Sequence, residues 1–188
     1  MPKICLIRPS IVVPAKNMTT MFTPPLGLAY VAGALRNSGF DVQFIDAVGE
    51  SLDTRHPSDF DCYLYGLSPS QTVDRIRSDT EIIGVGFGFS FEWPTCRDLV
   101  EAIRDRFPSA LLLGGGEHVT AVPEQTMRES ALDIGILGEG EETAVEIAKG
   151  YASGRLEYGK ISGISYLDTH GEVIINERRA RKRDIDEI

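Results

Sequence analysis

Short apolar runs alternate with amphipathic stretches five times along this chain of 188 residues. Each run suits a β-strand by its length and residue types, and the stretches between carry apolar residues at helical spacing. The five predicted strands are Lys3 to Arg8, Asp41 to Asp46, Glu81 to Phe87, Ala110 to Leu113 and Leu132 to Leu137. Strands that alternate with helices in this way predict an α/β fold built on a parallel sheet.

The end of the chain differs in kind from this alternation. Two apolar runs, Ile164 to Leu167 and Glu172 to Asn176, flank the turn sequence Asp168-Thr169-His170-Gly171, which predicts a β-hairpin. The expected architecture is therefore a doubly wound, Rossmann-like or flavodoxin-like, parallel five-stranded sheet with a C-terminal antiparallel hairpin at its edge. We predict a domain over residues 1–176 and a basic linker over 177–188.

Charge and composition exclude several classes of protein. The chain has 19 Lys and Arg against 28 Asp and Glu, a net charge of -9, which disfavours nucleic acid as a partner. The linker is the exception, with five cations that are interpreted as a solvated connector: Arg178, Arg179, Arg181, Lys182 and Arg183. No apolar run is long enough to span a membrane, and no secretory signal is recognisable. Three widely spaced cysteines exclude a disulfide scaffold, so a cytoplasmic location is expected.

Four loops follow the predicted strands at the edge where ligands bind to open parallel sheets. They are Pro24-Pro25-Leu26-Gly27, Gly86-Phe87-Gly88-Phe89-Ser90-Phe91, Gly114-Gly115-Gly116-Glu117-His118-Val119-Thr120 and Gly138-Glu139-Gly140-Glu141. Three of the four are rich in glycine, which lets the backbone approach a ligand closely, and this points to a large ligand. Neither phosphate-binding pattern, G-x-x-x-x-G-K-[ST] or G-x-G-x-x-G, occurs in its required context, which disfavours a dinucleotide cofactor.

Together these loops resemble the N-terminal cobalamin-binding domain of B12-dependent radical SAM enzymes. The resemblance depends on four motifs: Pro24 to Tyr30 (PPLGLAY), Ile83 to Ser90, Gly115 to Thr120 (GGEHVT) and Gly138 to Glu142 (GEGEE). It extends from Lys3 to the basic segment. Glu117 departs from the family, which more often has proline after the paired glycines.

The resemblance implies a corrin ring across the carboxyl ends of the strands, with its nucleotide tail inserted beside the sheet. The residues that it implies for cofactor binding are Pro24, Pro25, Leu26, Gly27, Phe87, Gly88, Phe89, Ser90, Gly114, Gly115, Gly116, Glu117, His118, Val119, Thr120, Gly138, Glu139, Gly140 and Glu141. Within this set we expect Gly114 to Gly116 to line the slot for the tail. Ser90 and Thr120 are expected to donate hydroxyls to the tail or its phosphate, and His118 to contact the tail.

A histidine on cobalt is not predicted. The motif D-x-H-x-x-G, which supplies this ligand in methyltransferase and mutase B12 modules, has no match after the first strand. The nearest lookalike begins at Asp168 but has Val173 where glycine is needed, so His170 is interpreted as a turn residue. His56 is interpreted as solvated, in a polar connector. We therefore expect a displaced benzimidazole, no protein ligand to the metal and no catalytic residue in this chain.

Four aromatic residues alternate after the third strand: Phe87, Phe89, Phe91 and Trp93. Two interpretations remain open for them. They form an aromatic wall against the corrin or its tail, or they are buried in the core or against a neighbouring domain.

The cysteines lie 57 and 34 positions apart, so the C-x-x-x-C-x-x-C motif that holds a radical SAM [4Fe-4S] cluster is missing. The resemblance therefore implies an N-terminal module, with the cluster and S-adenosylmethionine in an absent C-terminal domain of the same parent chain. The parent would methylate an unactivated carbon or a phosphinate-type centre, or rearrange a substrate radically. The module alone would bind cobalamin and turn nothing over. A stand-alone corrinoid carrier or sensor, and a flavodoxin-like domain with another ligand, remain as alternatives.

Overall fold

The structure is a computed structural model that describes residues 1–16, 22–58 and 61–180. Three cations of the predicted basic linker, Arg181, Lys182 and Arg183, lie outside the described residues.

Within these ranges, ten strands form two sheets. They are β1 (Lys3–Arg8), β2 (Ile11–Pro14), β3 (Asp41–Asp46), β4 (Arg55–Ser58), β5 (Cys62–Tyr65), β6 (Ile82–Gly86), β7 (Leu111–Gly115), β8 (Ile134–Ile136), β9 (Ile164–Leu167) and β10 (Val173–Ile175). The larger sheet has seven strands in the order β10-β9-β8-β7-β6-β1-β3. Its five parallel strands are the five predicted from sequence, and the antiparallel β9–β10 hairpin pairs with the edge strand β8. The predicted doubly wound fold is confirmed, with the hairpin raising the strand count to seven.

In the part of the chain that the structure describes, six α-helices cover the two faces of this sheet. They are α1 (Leu26–Asn37), α2 (Pro69–Arg75), α3 (Trp93–Arg106), α4 (Glu117–Ala121), α5 (Pro123–Glu129) and α6 (Glu141–Ala152). Helices α1 and α6 pack against each other on one face, while α2 and α3 cover the other face. Side chains alternate between the two layers along each strand, so Leu6 joins the cluster under α1 and α6 whereas Ile7 joins the opposite cluster. Burying one such side chain fully contributes roughly 1.5–3 kcal/mol.

The chain reverses its direction of winding next to β1. From β1 it passes to β3 on one side, and later to β6 on the other side. The parallel strands therefore stand in the order second, first, third, fourth and fifth, which leaves a crevice at the carboxyl ends of β1 and β6. This crevice is where a ligand is expected in an open α/β sheet.

The helix ends differ in how they are capped. Ser68 and Gln71 form a capping box at α2, since each side chain accepts a hydrogen bond from the other residue's backbone N–H. Pro25 is the N-cap of α1 and makes no side-chain capping bond. Helix α3 begins at Trp93, directly after a 3-10 turn at Ser90–Glu92.

The smaller sheet was not predicted. It joins β2, β5 and β4, and its antiparallel register pairs Ile11 with Tyr65. Our interpretation of His56 was wrong, because this residue lies half-buried in β4 rather than in a solvated connector. The strand has the sequence RHPS and includes Pro57, which suits only an edge strand and gives no strand pattern. In the described ranges, no helix is long and apolar enough to cross a membrane.

Candidate functional site

A cavity of about 520 Å³ lies between the sheet and the pair α1 and α6. It opens at the carboxyl ends of the strands, near Pro9 and Gly138, and extends beneath the helices as far as Ile4 and Ile82. The cavity thus begins at the crevice beside β1 and β6 and continues along one face of the sheet. Its size falls in the usual range for small-molecule sites.

Part of the floor of this cavity is bare backbone, next to the apolar side chains of Leu6 and Leu113. A Cβ atom on Gly86 would face the side chain of Leu28 at 3.6 Å, and one on Gly115 would face Ile136 at 3.7 Å. A Cβ atom on Gly84 would meet Leu6 at 2.8 Å, which is too close for an undisturbed contact. Since these three glycines lie on the central strands β6 and β7, a larger residue at any of them would fill the space under the helices.

The walls of the cavity come from the two helices. Leu28, Val31 and Leu35 line it from α1, while Ala144 and Ala148 line it from α6. The two alanines have only a methyl side chain, so α6 projects little into the cavity and leaves it wide. The wall is therefore apolar beneath the helices, and the charge on it is that of Glu141 at the start of α6.

Most of the predicted cofactor-binding residues line this cavity. Those that do are Pro24, Pro25, Leu26, Gly27, Phe87, Gly88, Phe89, Gly114, Gly115, Gly116, Glu117, Gly138, Glu139, Gly140 and Glu141. Four others do not contribute to its lining: Ser90, His118, Val119 and Thr120. The folding of the chain thus brings all four predicted loops to one opening, while two side chains of the third loop, His118 and Val119, are buried beside it.

The three consecutive glycines at the end of β7 all line the cavity with their backbone, but each lacks a side chain for a different reason. A Cβ atom on Gly114 would collide with Leu132 and Phe87 at 2.5 and 2.7 Å, so this glycine makes room for core packing. Gly115, the next residue, faces the cavity instead. Gly116 has φ +117° and would press a Cβ atom against the Phe87 carbonyl oxygen at 2.3 Å. Gly116 is the N-cap of α4, so the segment after it is a short helix and not an open loop.

His118 is buried, with 3% of its surface exposed. Its Nδ1 atom forms a hydrogen bond with the hydroxyl oxygen of Ser90 at 3.0 Å, and its ring stacks on Trp93 with centroids 4.5 Å apart. Burial lowers the pKa of the imidazole, and the charge of Glu129 opposes this only in part. Within the described part of the chain, Nε2 has no hydrogen-bond partner.

Thr120 and Val119 complete the same short helix. The Thr120 hydroxyl oxygen accepts a hydrogen bond from the backbone N–H of Gly138 at 2.9 Å. Val119 is fully buried and faces Gly135 on β8, where a Cβ atom would lie 3.0 Å from its methyl group. Helix α4 is therefore anchored in the core and reaches two of the loops at the cavity mouth.

Two charged side chains, Arg8 and Glu92, line the cavity close to the ends of β1 and β6. Arg8 forms an ion pair with Asp46 at 3.2 Å, and both side chains are largely shielded from solvent. Glu92 is buried, and this burial raises the pKa of its carboxyl group. Backbone hydrogen bonds at Val12 and Phe89 and the charge of Arg8 work in the opposite direction. A mostly apolar cavity with a small number of placed polar groups is typical of a ligand site.

The four aromatic residues after β6 divide into two pairs. Phe87 and Trp93 are buried and meet edge to face with ring centroids 5.6 Å apart. Phe89 and Phe91 are exposed, at 65% and 60%, and stack on each other. The core interpretation is therefore correct for the first pair. The second pair stands beside the mouth, and Phe89 contributes to its lining.

No histidine lines the cavity, although all three histidines lie in the described ranges. His170 is exposed in the hairpin turn, as predicted, and its backbone N–H donates to Asp168. Among the described residues, no group of three His, Cys, Asp or Glu side chains is arranged to hold a metal ion. Burial raises the pKa of the Cys5 thiol to about 12 and also that of Cys96, as expected of structural thiols.

Gly84 and Gly86 are the main site residues that the sequence analysis missed. Both fall within the predicted strand Glu81 to Phe87, and although Gly86 also opens the second loop, neither was predicted to bind the cofactor. The available signal was the period of two, which places Gly84 and Gly86 on one face of β6, toward α1. Leu28, Val31 and Ala144 also line the cavity and were not predicted as cofactor-binding residues, although Leu28 lies within the motif Pro24 to Tyr30.

The segment after β10 lies against α6. The guanidinium of Arg179 donates a hydrogen bond to the Thr143 hydroxyl at 3.1 Å and forms ion pairs with Glu142 and Glu146. A second cavity of about 600 Å³ lies between this segment, α1 and α6. Arg179 is thus bound to the domain rather than solvated, whereas Arg178 is exposed.

Comparison with known proteins adds independent support for a B12 site. A family model for the B12 binding domain matches residues 18–148. The chain is 28% identical over 176 residues to cytidylyl-2-hydroxyethylphosphonate methyltransferase of Streptomyces wedmorensis, covering 92% of this chain and 33% of that protein. It is 31% identical over 189 residues to an uncharacterised methyltransferase of Pyrococcus horikoshii, covering 99% and 37%. The chain therefore spans about a third of the length of these relatives.

Solved structures show the same fold. The radical S-adenosylmethionine methyltransferase TsrM from Kitasatospora setae, with cobalamin and a [4Fe-4S] cluster bound, matches with a TM-score of 0.67 and 18% identity, over 94% of this chain and 31% of that one. The cobalamin-dependent S-adenosylmethionine radical enzyme OxsB, with aqua-cobalamin and S-adenosylmethionine bound, matches with a TM-score of 0.71 and 20% identity. This match covers 96% of this chain and 23% of OxsB. Since the family model covers well over half of the chain, this protein belongs to the B12-binding domain family, as the four loop motifs predicted.

Proposed function

We propose that this chain is the cobalamin-binding module of a B12-dependent radical SAM methyltransferase, and that it holds the cofactor with its benzimidazole displaced and no histidine on cobalt. The observation that carries the proposal is the cavity under α1 and α6, whose apolar floor includes the bare backbone of Gly84, Gly86 and Gly115. A nucleotide tail is long and narrow, and it needs a slot from which side chains are excluded.

The residues present fit this cofactor. The cavity is deep and apolar enough to take the benzimidazole, and its opening at the strand ends leaves room outside for a macrocycle. Backbone groups of the loops at Pro25–Gly27 and Gly138–Glu141 are available at this opening for the amide side chains of the ring. The bound cofactor supplies methyl-transfer chemistry, while these residues bind it, orient it and shield its tail from water.

The absence of a cobalt ligand is proposed on two observations. No histidine of this chain lines the cavity, and the sequence that follows β1, from Pro9 to Pro24, lacks the D-x-H-x-x-G motif. His118, the histidine nearest to the opening, is buried and already bonded through Nδ1 to Ser90.

Methyl transfer is proposed from the relatives. The two curated relatives are named as methyltransferases, and TsrM is a radical S-adenosylmethionine methyltransferase. In these proteins the matched part is about a third of the chain, so we propose that a radical SAM domain with the [4Fe-4S] cluster and S-adenosylmethionine belongs to the same parent chain. Residues 177–188 are proposed as the linker toward it, after a domain of residues 1–176.

Electron paramagnetic resonance tests the ligand proposal after the protein is loaded with hydroxocobalamin and reduced to the Co(II) state. We expect a base-off spectrum with no nitrogen coupling from benzimidazole or from a protein imidazole. Nitrogen coupling that disappears in His118→Phe or His56→Phe would contradict the proposal. Coupling that persists in both variants would come from the benzimidazole or from His170, and either source would also contradict the proposal.

A further inference from the structure

Helix α4 reaches the two loops on either side of it with two side chains. His118 extends to Ser90, in the loop after β6, and Thr120 extends to Gly138, in the loop after β8. Val119 stands between them in sequence and is fully buried against β8. The helix that connects these two loops is therefore fixed to the core of the domain.

We infer that His118 and Thr120 are positioning residues: they do not touch the cofactor, and instead they hold the loops at Ser90 and Gly138 in the geometry that binds it. This inference rests on the proposed function, since it assumes that the cavity takes cobalamin. It differs from the expectation drawn from the family resemblance, in which both side chains contact the nucleotide tail.

The position of His118 supports the inference first. The imidazole is almost fully buried and does not line the cavity, so a ligand in the cavity has no access to its ring. Ser90, by contrast, is exposed and lies between Phe89 and Glu92, which both line the cavity. The hydroxyl group of Ser90 is therefore the atom of this pair that a bound molecule is able to reach.

The chemistry of the pair then fixes the direction of the hydroxyl. A neutral imidazole carries one N–H and one acceptor nitrogen, so Nδ1 either accepts from Ser90 or donates to it. In both tautomers the Ser90 hydroxyl uses either its proton or one lone pair for the hydrogen bond with the buried ring. Its other hydrogen-bonding positions are directed away from the ring. Stacking on Trp93 holds the ring in place, because the Trp93 indole is itself bonded through Nε1 to Glu129.

Thr120 acts in the same way on the other loop. Its hydroxyl oxygen accepts from the backbone N–H of Gly138, a residue with φ +76° that lines the cavity mouth. Gly138 begins the turn that leads into α6, so this bond orients the loop that carries Glu139 and Gly140. The loop contributes to the mouth through its backbone, and a fixed backbone loses less entropy when a ligand binds.

Amide hydrogen exchange of the unliganded protein, followed by mass spectrometry, tests the positioning roles without any cofactor. His118→Phe keeps the ring stacked on Trp93 but removes Nδ1, whereas His118→Asn places an amide where Nδ1 was. We expect faster exchange over residues 87–92 in His118→Phe and Ser90→Ala, and exchange near the wild type in His118→Asn. Over residues 138–141 we expect faster exchange in Thr120→Val and a wild-type rate in Thr120→Ser.

The exchange result decides the inference even if one variant fails. Equal exchange in His118→Phe and the wild type would overturn the role of His118, and equal exchange in Thr120→Val would overturn that of Thr120. Should His118→Phe not fold, Ser90→Ala breaks the same hydrogen bond from its exposed end. Wild-type exchange over residues 87–92 in Ser90→Ala would then overturn the inference.

Titration with hydroxocobalamin tests the consequence for binding. If His118 acts only through Ser90, then His118→Phe, Ser90→Ala and the double variant share one loss of affinity, about five- to tenfold. Full additivity of the two single losses would show a direct contact by His118 and overturn the inference. Unchanged affinity in His118→Phe would overturn it as well. If the wild type takes up no cobalamin, the proposed function fails, while the exchange measurement still decides the positioning roles.

Discussion

Gly116 and Phe87 are in contact so close that no side chain is tolerated between them. A Cβ atom on Gly116 would lie 2.3 Å from the carbonyl oxygen of Phe87, and Gly116 also has φ +117°. The backbone N–H of Phe87 donates to Gly115 at 2.7 Å, so the loops after β6 and β7 are joined at this point. The contact holds two sides of the cavity mouth together.

Gly116→Ala is expected to destabilise the domain for two reasons, steric overlap with Phe87 and an unfavourable φ. The matched control is Gly138→Ala, which shares a positive φ but would have no atom within 4 Å of its Cβ. Strain from φ alone costs about 1–2 kcal/mol. We therefore expect a larger loss in Gly116→Ala than in the control, measured as the free energy of unfolding in urea. Equal losses would show that the contact with Phe87 relaxes freely.

Glu92 gives the stability of the domain a specific dependence on pH. Burial raises the pKa of this carboxyl group above 4.5, the pKa of an ordinary glutamate such as that of the unfolded chain. The folded state therefore keeps the proton to a higher pH than the unfolded chain does. The folded state binds more protons in this window, and its stability therefore falls as the pH rises from about 4.5 through the pKa of the folded state.

Glu92→Gln removes this titration while keeping an acceptor oxygen for the backbone. We expect the variant to be more stable than the wild type at neutral pH, with a difference that shrinks as the pH is lowered toward 4. Urea midpoints measured across this range check the prediction. A difference that stays constant with pH would mean that Glu92 does not titrate as described.

Arg179 binds the segment after β10 to α6, and its neighbour Arg178 provides a matched control. Arg179→Ala removes the hydrogen bond to Thr143 and the ion pairs with Glu142 and Glu146. Pairs that are partly exposed contribute only roughly 0.2–1 kcal/mol, so the global stability should change little. We expect a local effect, which is faster amide exchange over residues 177–180. Arg178→Ala removes the same charge without a described contact and should leave this exchange unchanged. The same increase in both variants would refute the assigned role of Arg179.

The central sheet could be predicted because local sequence and tertiary structure agree there. Runs such as Ile82 to Gly86 are apolar and β-branched, and the turn at Asp168 is favourable for a hairpin. The small sheet escaped prediction because β4 is polar and contains Pro57, and because strands of four residues are too short for a periodic pattern. Its strand β2 is held by pairing with a segment about fifty residues away, as in Ile11 with Tyr65.

The candidate site could be predicted as a set of loops but not as a cavity. The four motifs identified the opening, since strand ends in a parallel sheet share one edge. The depth of the site depends on Gly84 and Gly86 and on the small side chain of Ala144. Their role becomes visible only when the packing of α1 and α6 over this sheet face is known. The direction of the His118 side chain could not be predicted from the sequence either, because its burial against Trp93 depends on tertiary packing.

A change at Gly86 tests the cavity itself. Gly86→Val adds a side chain to the floor, close to Leu28, in a strand that favours β-branched residues. We expect this variant to stay folded and to lose cobalamin uptake, because the added group occupies the slot. The control is Gly33→Ala on α1, which adds a Cβ with no neighbour within 4 Å and does not line the cavity. It should bind as the wild type does, with about 0.5–1 kcal/mol more stability.

Equilibrium dialysis against hydroxocobalamin, with the wild type and Gly86→Val compared at matched concentration, measures the central claim directly. The expected result is saturable uptake of one cobalamin per wild-type chain and none by Gly86→Val, with both proteins folded by circular dichroism. A folded wild type that takes up no cobalamin, or a folded Gly86→Val that binds it with unchanged affinity, would contradict the placement of the cofactor in this cavity.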